Sequence, residues 1–371
     1  MKNRKFHPFA ALAVLAATTA AASAGPGNID KAFGSSGKVT ANYGGTDSAN
    51  AVAVQADGKI VVAGVTTTMG NIDVAVVRYK PNGSLDTSFD FDGGVITDLG
   101  SATTDTVKAV AIQKDGKILV AGGNGTNSVV VRYLPNGQLD TFFGSGGKLN
   151  IDAPSTDEAV ALHILSDGTF YVAGSCYLLS TTDFYITRRN KDGTPDTTFN
   201  SGSITTFTFG DVDVCTSMAV QPDGKIVLAG YSNDVTTNDF AVARLTTAGI
   251  LDTTFDGDGK LLTNFGSDDR AKGVVVQKDG KIVAAGSWDG GASDFAIARY
   301  NTDGSLDTTF SGDGKANAAF IASGAGGTEF ANAMALQKDG RILVAGYTNY
   351  TEAANDFGIM RFNTDGTLDT S

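Results

Sequence analysis

Apolar and polar positions follow one scheme six times along this chain. A mostly apolar run such as Ala51 to Gln55 meets the dipeptide Asp57-Gly58, and a second β-rich run, Lys59 to Val65, follows at once. Asp-Gly between two such runs predicts a hairpin, because its turn geometry matches the twist of paired strands. A third strand is expected at Asp73 to Tyr79, with DFAVARL at Asp239 and DFAIARY at Asp294 as counterparts. After a second turn, Asn82-Gly83 here and Asp303-Gly304 later, a fourth strand such as Gly94 to Leu99 closes the unit. Nothing in the period has helical spacing.

The hairpin string DGKIVVAG at Asp57 recurs from Asp115, Asp167, Asp223, Asp279 and Asp339, and each copy is followed by a second string of the type LDTTF. Regular self-similarity of this length means stacked or radial modules. The expected fold is all-β: a six-bladed β-propeller of four-stranded antiparallel blades, which leaves only short and protected edges. A linear β-solenoid is the alternative. The stretch Asn28 to Val39 aligns with the end of a repeat, and the last repeat stops at Leu368-Asp369-Thr370-Ser371 inside that same motif. Lys38 to Tyr43 is therefore expected as the outer strand of the sixth blade, closing the ring from the N-terminus and covering an edge that would otherwise be bare.

The pairing of DGKIVVAG with strings such as SLDTTFSGDGKA at Ser305 resembles the delta-60 repeat family, bacterial proteins with a repeat of about this length. The resemblance covers nearly the whole chain after residue 24 and implies a propeller. It implies no shared catalytic activity. The third repeat departs from the pattern, with Leu165 for glutamine, Thr169-Phe170 for Lys-Ile and Pro195 for leucine.

Residues 1–24 carry Lys2, Arg4 and Lys5, an apolar run from Phe9 to Ala17, and Ala22-Ser23-Ala24 before Gly25. This reads as a secretory signal peptide, since the apolar run falls short of the roughly 20 residues of a spanning helix. Residues 25–371 are then one propeller domain, exported to the periplasm, cell surface or exterior. No later segment reads as a membrane span. Cleavage takes the formal charge from −12 to −15. Such acidity disfavours nucleic acid as a partner and suits solubility or attraction of cations. A monomer is expected.

Strand alternation puts an arginine on the apolar face of every third strand: Arg78, Arg132, Arg188, Arg244, Arg299 and Arg361. The aspartate of the second string is the expected partner: Asp86, Asp140, Asp196, Asp252 and Asp307, with Asp30 or Asp369 in the last blade. A guanidinium fork suits a carboxylate, and a feature copied into every blade serves the blade. The Gly-rich strings FDFDGG at Phe89, FDGDGK at Phe255 and FSGDGK at Phe310 hint weakly at calcium, while Asp and Gly at turn positions explain them without a metal. His163 is the only histidine after residue 24, which leaves no multi-histidine metal site. Cys176 and Cys215 fall at nearly equal height on adjacent blades, and export favours a disulfide between them.

The constant Asp-Gly turns share one face, so the variable loops share the other, where recognition is expected. Tyr177, Tyr231, Asp234, Trp288, Asp289, Tyr347, Asn349 and Tyr350 belong there and suit a glycan or a protein loop. A binding or interaction scaffold is the first reading. A propeller hydrolase or lyase acting on glycans is the second, with acids drawn from Asp234, Asp268, Asp269, Asp289 or Glu329; a purely structural surface protein is the third. Convergence of those carboxylates in one pocket would favour the enzyme.

Overall fold

A computed structural model describes residues 29–68, 70–100, 104–178, 180–233, 237–290, 293–320, 328–349 and 355–370. Asp234, Tyr350 and the leader reading of residues 1–24 lie outside the described residues. The chain forms two compact units, one of residues 13–170 and 189–194, the other of residues 171–188 and 195–371. Among the described residues no helix is long and apolar enough to cross a membrane.

The first unit holds two four-stranded antiparallel sheets. Strands β1 (Asp47–Val54), β2 (Ile60–Thr68), β3 (Asn71–Tyr79) and β4 (Gly94–Thr97) make one, in that order. Strands β5 (Thr106–Ile112), β6 (Ile118–Gly123), β7 (Ser128–Tyr133) and β8 (Lys148–Ile151) make the next, and β9 (Asp157–Ile164) follows. The core lies between the sheets: Val74, Val76 and Phe89 of the first pack with Val107, Ile118, Val129 and Tyr133 of the second. A single blade thus has no interior of its own, and each sheet buries its apolar face on its neighbour.

The second unit continues the scheme. It contains β10 (Phe170–Leu178), β11 (Thr181–Arg189), β12 (Thr205–Phe207), β13 (Val212–Val220), β14 (Ile226–Asn233), β15 (Asn238–Leu245) and β16 (Lys260–Thr263). Strands β17 (Asp268–Val276), β18 (Ile282–Asp289), β19 (Ser293–Tyr300) and β20 (Lys315–Ala318) form a complete four-stranded sheet. The last sheet has three strands, β21 (Glu329–Leu336), β22 (Ile342–Thr348) and β23 (Asp356–Phe362). Its cores again lie between sheets, with Phe240 and Val242 against Ala271 and Ile282, and Phe295 and Ile297 against Ala331 and Val344.

The repeated string has a local cause in every blade. Gly58 N–H donates to Gln55 O at 2.9 Å and Gln55 N–H to Lys59 O at 2.8 Å, with Gly58 at φ 81°, while the Asp57 carboxylate accepts the Lys59 N–H. The hairpin therefore needs one left-handed residue, which glycine supplies without strain. The second glycine answers a different demand. The first strand of each fully described blade pair is bulged, between Ala49 and Ala51, Val107 and Ala109, Cys215 and Ser217, Ala271 and Gly273, and Ala331 and Ala333. The bulge presses a carbonyl onto the glycine, so that a Cβ on Gly64, Gly230 or Gly346 would lie 1.8 to 1.9 Å from a main-chain oxygen.

Lys38 to Tyr43, expected as an outer strand, carries no strand. Its start is folded back on itself, with Ser35 N–H bonded to Lys38 O at 2.8 Å and Lys38 N–H to Ser35 O at 3.2 Å.

Candidate functional site

Each arginine of the third strands meets its aspartate. Nε to Oδ2 distances are 2.8 Å for Arg78 and Asp86, 2.9 Å for Arg132 and Asp140, and 2.7 Å for Arg188 and Asp196. They are 2.7 Å for Arg244 and Asp252, 2.6 Å for Arg299 and Asp307, and 2.7 Å for Arg361 and Asp369. The contact is one part of a larger latch. Arg299 lies over the Phe310 ring at 4.6 Å and donates to Thr309 Oγ1 and to Thr364 O of the following blade. A lysine or arginine from the hairpin turn completes it in five blades: Lys59, Lys117, Lys225, Lys281 and Arg341 reach the same carboxylates. In the third blade Thr169 stands at the lysine position, and among the described residues Asp196 pairs with Arg188 alone. Burial alone would raise the Asp86 pKa, but hydrogen bonds from Ser88 and Lys59 and the Arg78 charge hold it down at about 2. Asp140, Asp252 and Asp307 are lowered in the same way, and Asp196 by hydrogen bonds from Thr198 and Arg188 and the Arg188 charge, each against the rise from burial. These residues join blades and offer no free anion site.

The two cysteines are unbridged, which corrects the expected disulfide, and both are buried. Ser175 Oγ accepts the Cys215 N–H at 2.8 Å, so the Ser175 side chain is the one that faces β13. Side chains alternate along β10, and Cys176 therefore points to the opposite side of its sheet. Burial pushes the Cys215 thiol up to about 12. Equal height along the blades says nothing about which face a side chain takes.

His163 is exposed on β9, yet desolvation by nearby protein still lowers its pKa. Its equivalents Ala53, Ala111, Ala219 and Val275 are half-buried.

The expected recognition residues separate into three groups. Tyr231 is half-buried, and Arg270 and Lys272 both hold their cations 5.4 Å from its ring centroid. Desolvation raises the Tyr231 pKa while the Arg270 charge opposes it, and Tyr177 and Asp268 stand close enough to add to the rise. Tyr177 itself is 55% exposed. Asp268 pairs with Arg270 at 2.7 Å and accepts the Asn238 N–H at 3.0 Å. Arg270 and Lys272 sit among polar residues of a first strand, and their placement two residues apart on one face is the one sequence signal for this cap, which attention to the loops alone misses.

Trp288 is half-buried. It packs on the core between its own blade and the preceding one, and Asp289 beside it is exposed. Tyr347 stacks on Phe330 at 5.3 Å, and Asn349 is held by Thr328, whose hydroxyl it accepts at 3.0 Å.

Of the described candidate acids, Asp268 stands directly opposite Asp289 across β17 and β18, while the other two are buried. Asp269 is fully buried and accepts the Phe265 N–H at 2.5 Å; Glu329 is buried and accepts the Phe320 N–H at 2.8 Å. Asp213 does the same for Phe209 at 2.6 Å and Asp105 for Leu99 at 2.8 Å, so this acid is a recurring brace at the start of first strands. Desolvation, followed by the Asp239 and Asp268 charges, pushes Asp269 up to about 7. That value suits proton transfer, but the group touches no surface. Two clefts of about 350 and 540 Å³ open on the constant-turn side, lined by Lys278, Asp279 and the latch arginines Arg299 and Arg244.

Sheets of this kind, repeated six times with their cores between them, define a repeat β-propeller protein. The chain belongs to the family described as domain of unknown function (DUF5122) beta-propeller, which matches residues 55–89, 113–143, 165–199, 221–255, 277–310 and 337–371. No curated protein matches the chain. Among solved structures it is similar to a protein of unknown function from Dyadobacter fermentans, at 12% identity and TM-score 0.45 over 84% of this chain and 92% of that one. It is also similar to the polysaccharide lyase Uly1, at 11% identity and TM-score 0.46 over 85% and 77%. A gluconolactonase from Xanthomonas campestris follows, at 13% identity and TM-score 0.38 over 78% and 80%.

Proposed function

We propose that the protein is an exported binding scaffold of the delta-60 type whose ligand is a glycan, with acidic sugars favoured, taken up at Tyr177, Tyr231, Arg270 and Lys272. The observation that carries this reading is the Tyr231 ring under two cations, beside the exposed ring of Tyr177. An aromatic face accepts the apolar side of a sugar ring, and flanking cations take its carboxylate or sulfate. The enzyme reading is weaker, because Asp269 and Glu329 are buried on main-chain amides and Asp268 is engaged by Arg270.

Ring closure belongs to the same reading. Gly34 N–H donates to Asn82 O at 2.7 Å, the bond that Asp90 makes to Asn136 and Asp256 to Asp303. The N-terminal segment stands to the first blade as each blade end stands to the next.

A panel of neutral, carboxylated and sulfated glycans tests the function. Binding that prefers acidic members, weakens at least tenfold in Tyr231→Ala and Arg270→Ala, and survives Tyr347→Ala supports it. Equal binding by all variants would remove this site from consideration.

A further inference from the structure

We propose that Asp73, Asp98 and Asp105, with the hydroxyl of Thr66, form a calcium site at the junction of the first two blades. The three carboxylates each offer an oxygen, and these oxygens all lie within 4.8 Å of one another. Oxygens around one calcium sit about 2.4 Å from it and so spread over roughly this span.

The backbone builds the cluster. Ile72 pairs in parallel with Thr104, and Asp105 N–H donates to Ile72 O at 2.9 Å, which sets Asp73 and Asp105 side by side. Thr66 is directly opposite Asp73 across β2 and β3, and residues opposite one another in an antiparallel pair share a face. Asp98, just past the end of β4, is exposed and supplies the open side.

A second observation points to a ligand. Thr66 is wholly buried, and its Oγ1 has no hydrogen-bond partner among the described residues. A buried hydroxyl in that state is costly unless something accepts its lone pairs or its proton. Neither the Asp73 nor the Asp98 carboxylate takes part in an ion pair among the described residues, and Lys148 donates to the main-chain oxygen of Asp98. The donors are all hard oxygens, without histidine or cysteine, which selects calcium or magnesium over zinc. Donors drawn from four separate stretches form an irregular shell that calcium tolerates and magnesium does not.

The same row occurs elsewhere with one acid fewer. Ser232 is opposite Asp239, and Asp239 acts on Asp269, but Asn264 stands where the first junction has Asp98. There desolvation and the Asp239 charge raise the Asp269 pKa. Among the described residues the first junction is the one that combines three carboxylates within this reach, one of them exposed. The Gly-rich strings at Phe89, Phe255 and Phe310 are not involved.

Calorimetry and thermal melts with calcium chloride, on protein stripped with EDTA, test the site. The expected result is one saturable calcium per chain and a rise of several degrees in Tm, from selective binding to the folded state. Asp98→Asn, which keeps the acceptor for the Gly100 N–H, should leave the melting of stripped protein unchanged and weaken calcium at least tenfold. Asp258→Asn, in the FDGDGK loop, should leave calcium binding intact. The proposal is overturned by absence of saturable binding at millimolar calcium, by equal effects of magnesium, or by undiminished binding in Asp98→Asn.

Discussion

Trp288 and Asp269 stand directly opposite one another across β17 and β18, and Asp294 faces Trp288 from the other side on β19. The only tryptophan of the chain is thereby set beside a fully buried carboxyl whose pKa is pushed up to about 7 by desolvation and by Asp239. Charging Asp269 must change the field at the indole. Tryptophan emission of the native protein is expected to titrate with a midpoint near pH 7, and Asp269→Asn to abolish that transition. A flat profile between pH 5 and 9 in the native protein would show that Asp269 does not titrate there.

The same group sets a pH dependence of stability. A carboxyl free in the unfolded chain titrates near 4. Between about pH 4 and 7 the folded state therefore holds a proton that the unfolded state has lost, and stability falls as pH rises through this window. Asp157, raised to about 6 by desolvation, acts in the same direction. The latch acids act oppositely: Asp86, held at about 2, contributes stability above pH 4 that is lost as pH falls through 2. Tm is expected to be highest around pH 4 to 5 and to decline toward pH 8, with a shallower decline in Asp269→Asn. Scanning calorimetry across this range checks both slopes.

Arg299 tests what the latch is for. Its Nε is 2.6 Å from Asp307 and its guanidinium lies over Phe310, all of it buried. Removing one partner of a buried pair typically costs about 3 to 5 kcal/mol. Arg299→Ala should fall at the lower end, near 3 kcal/mol, because Lys281 Nζ remains 2.7 Å from the Asp307 carboxylate. Arg188→Ala should be the more damaging of the two relative to its burial, since Asp196 has no such lysine. Urea melts measure the difference, and unchanged glycan binding by folded Arg299→Ala would separate scaffold from site.

Much of this was legible in the sequence, and for a physical reason. The arginine and aspartate of the latch are eight residues apart in every blade, linked by one turn, so local geometry alone brings them together. The hairpins were legible in the same way from Asp-Gly. What the sequence hid lies between blades. Trp288 reads as an exposed aromatic because its neighbours are Ser287 and Asp289, yet its face is set by packing on the preceding blade. Asp269 and Glu329 read as catalytic candidates because burial of an acid on a main-chain amide leaves no trace in composition. Lys272 and Arg270 become a cap on Tyr231 only when two blades are placed side by side.

The unbridged cysteines give a direct chemical prediction. Cys176 and Cys215 are both buried, and alternation along β10 turns Cys176 away from the face that Ser175 presents to Cys215. Mass of the native protein is expected to be the same with and without reductant. Thiol reagents should label both cysteines only after denaturation, because both are buried, and the Cys215 thiol, raised to about 12, supplies almost no thiolate at neutral pH.

The bulge glycine supplies the sharpest test of the fold. A Cβ on Gly286 would lie 2.0 Å from Arg270 O and 2.6 Å from Ala271 Cα, both main-chain atoms that cannot swing aside. Gly312 is the contrasting case, with φ at 91° and nothing within 4 Å of where its Cβ would be. Gly286→Ala must open the β17 and β18 pair at its bulge, and overpacking of this kind costs about 3 kcal/mol. Gly312→Ala meets only the strain of an unfavourable backbone region, about 1 kcal/mol. The two Tm values should therefore differ clearly, with Gly286→Ala the lower. Equal destabilisation would mean that the first strand can give up its bulge, and that the glycine of the hairpin string is kept for something other than the close approach of two backbones.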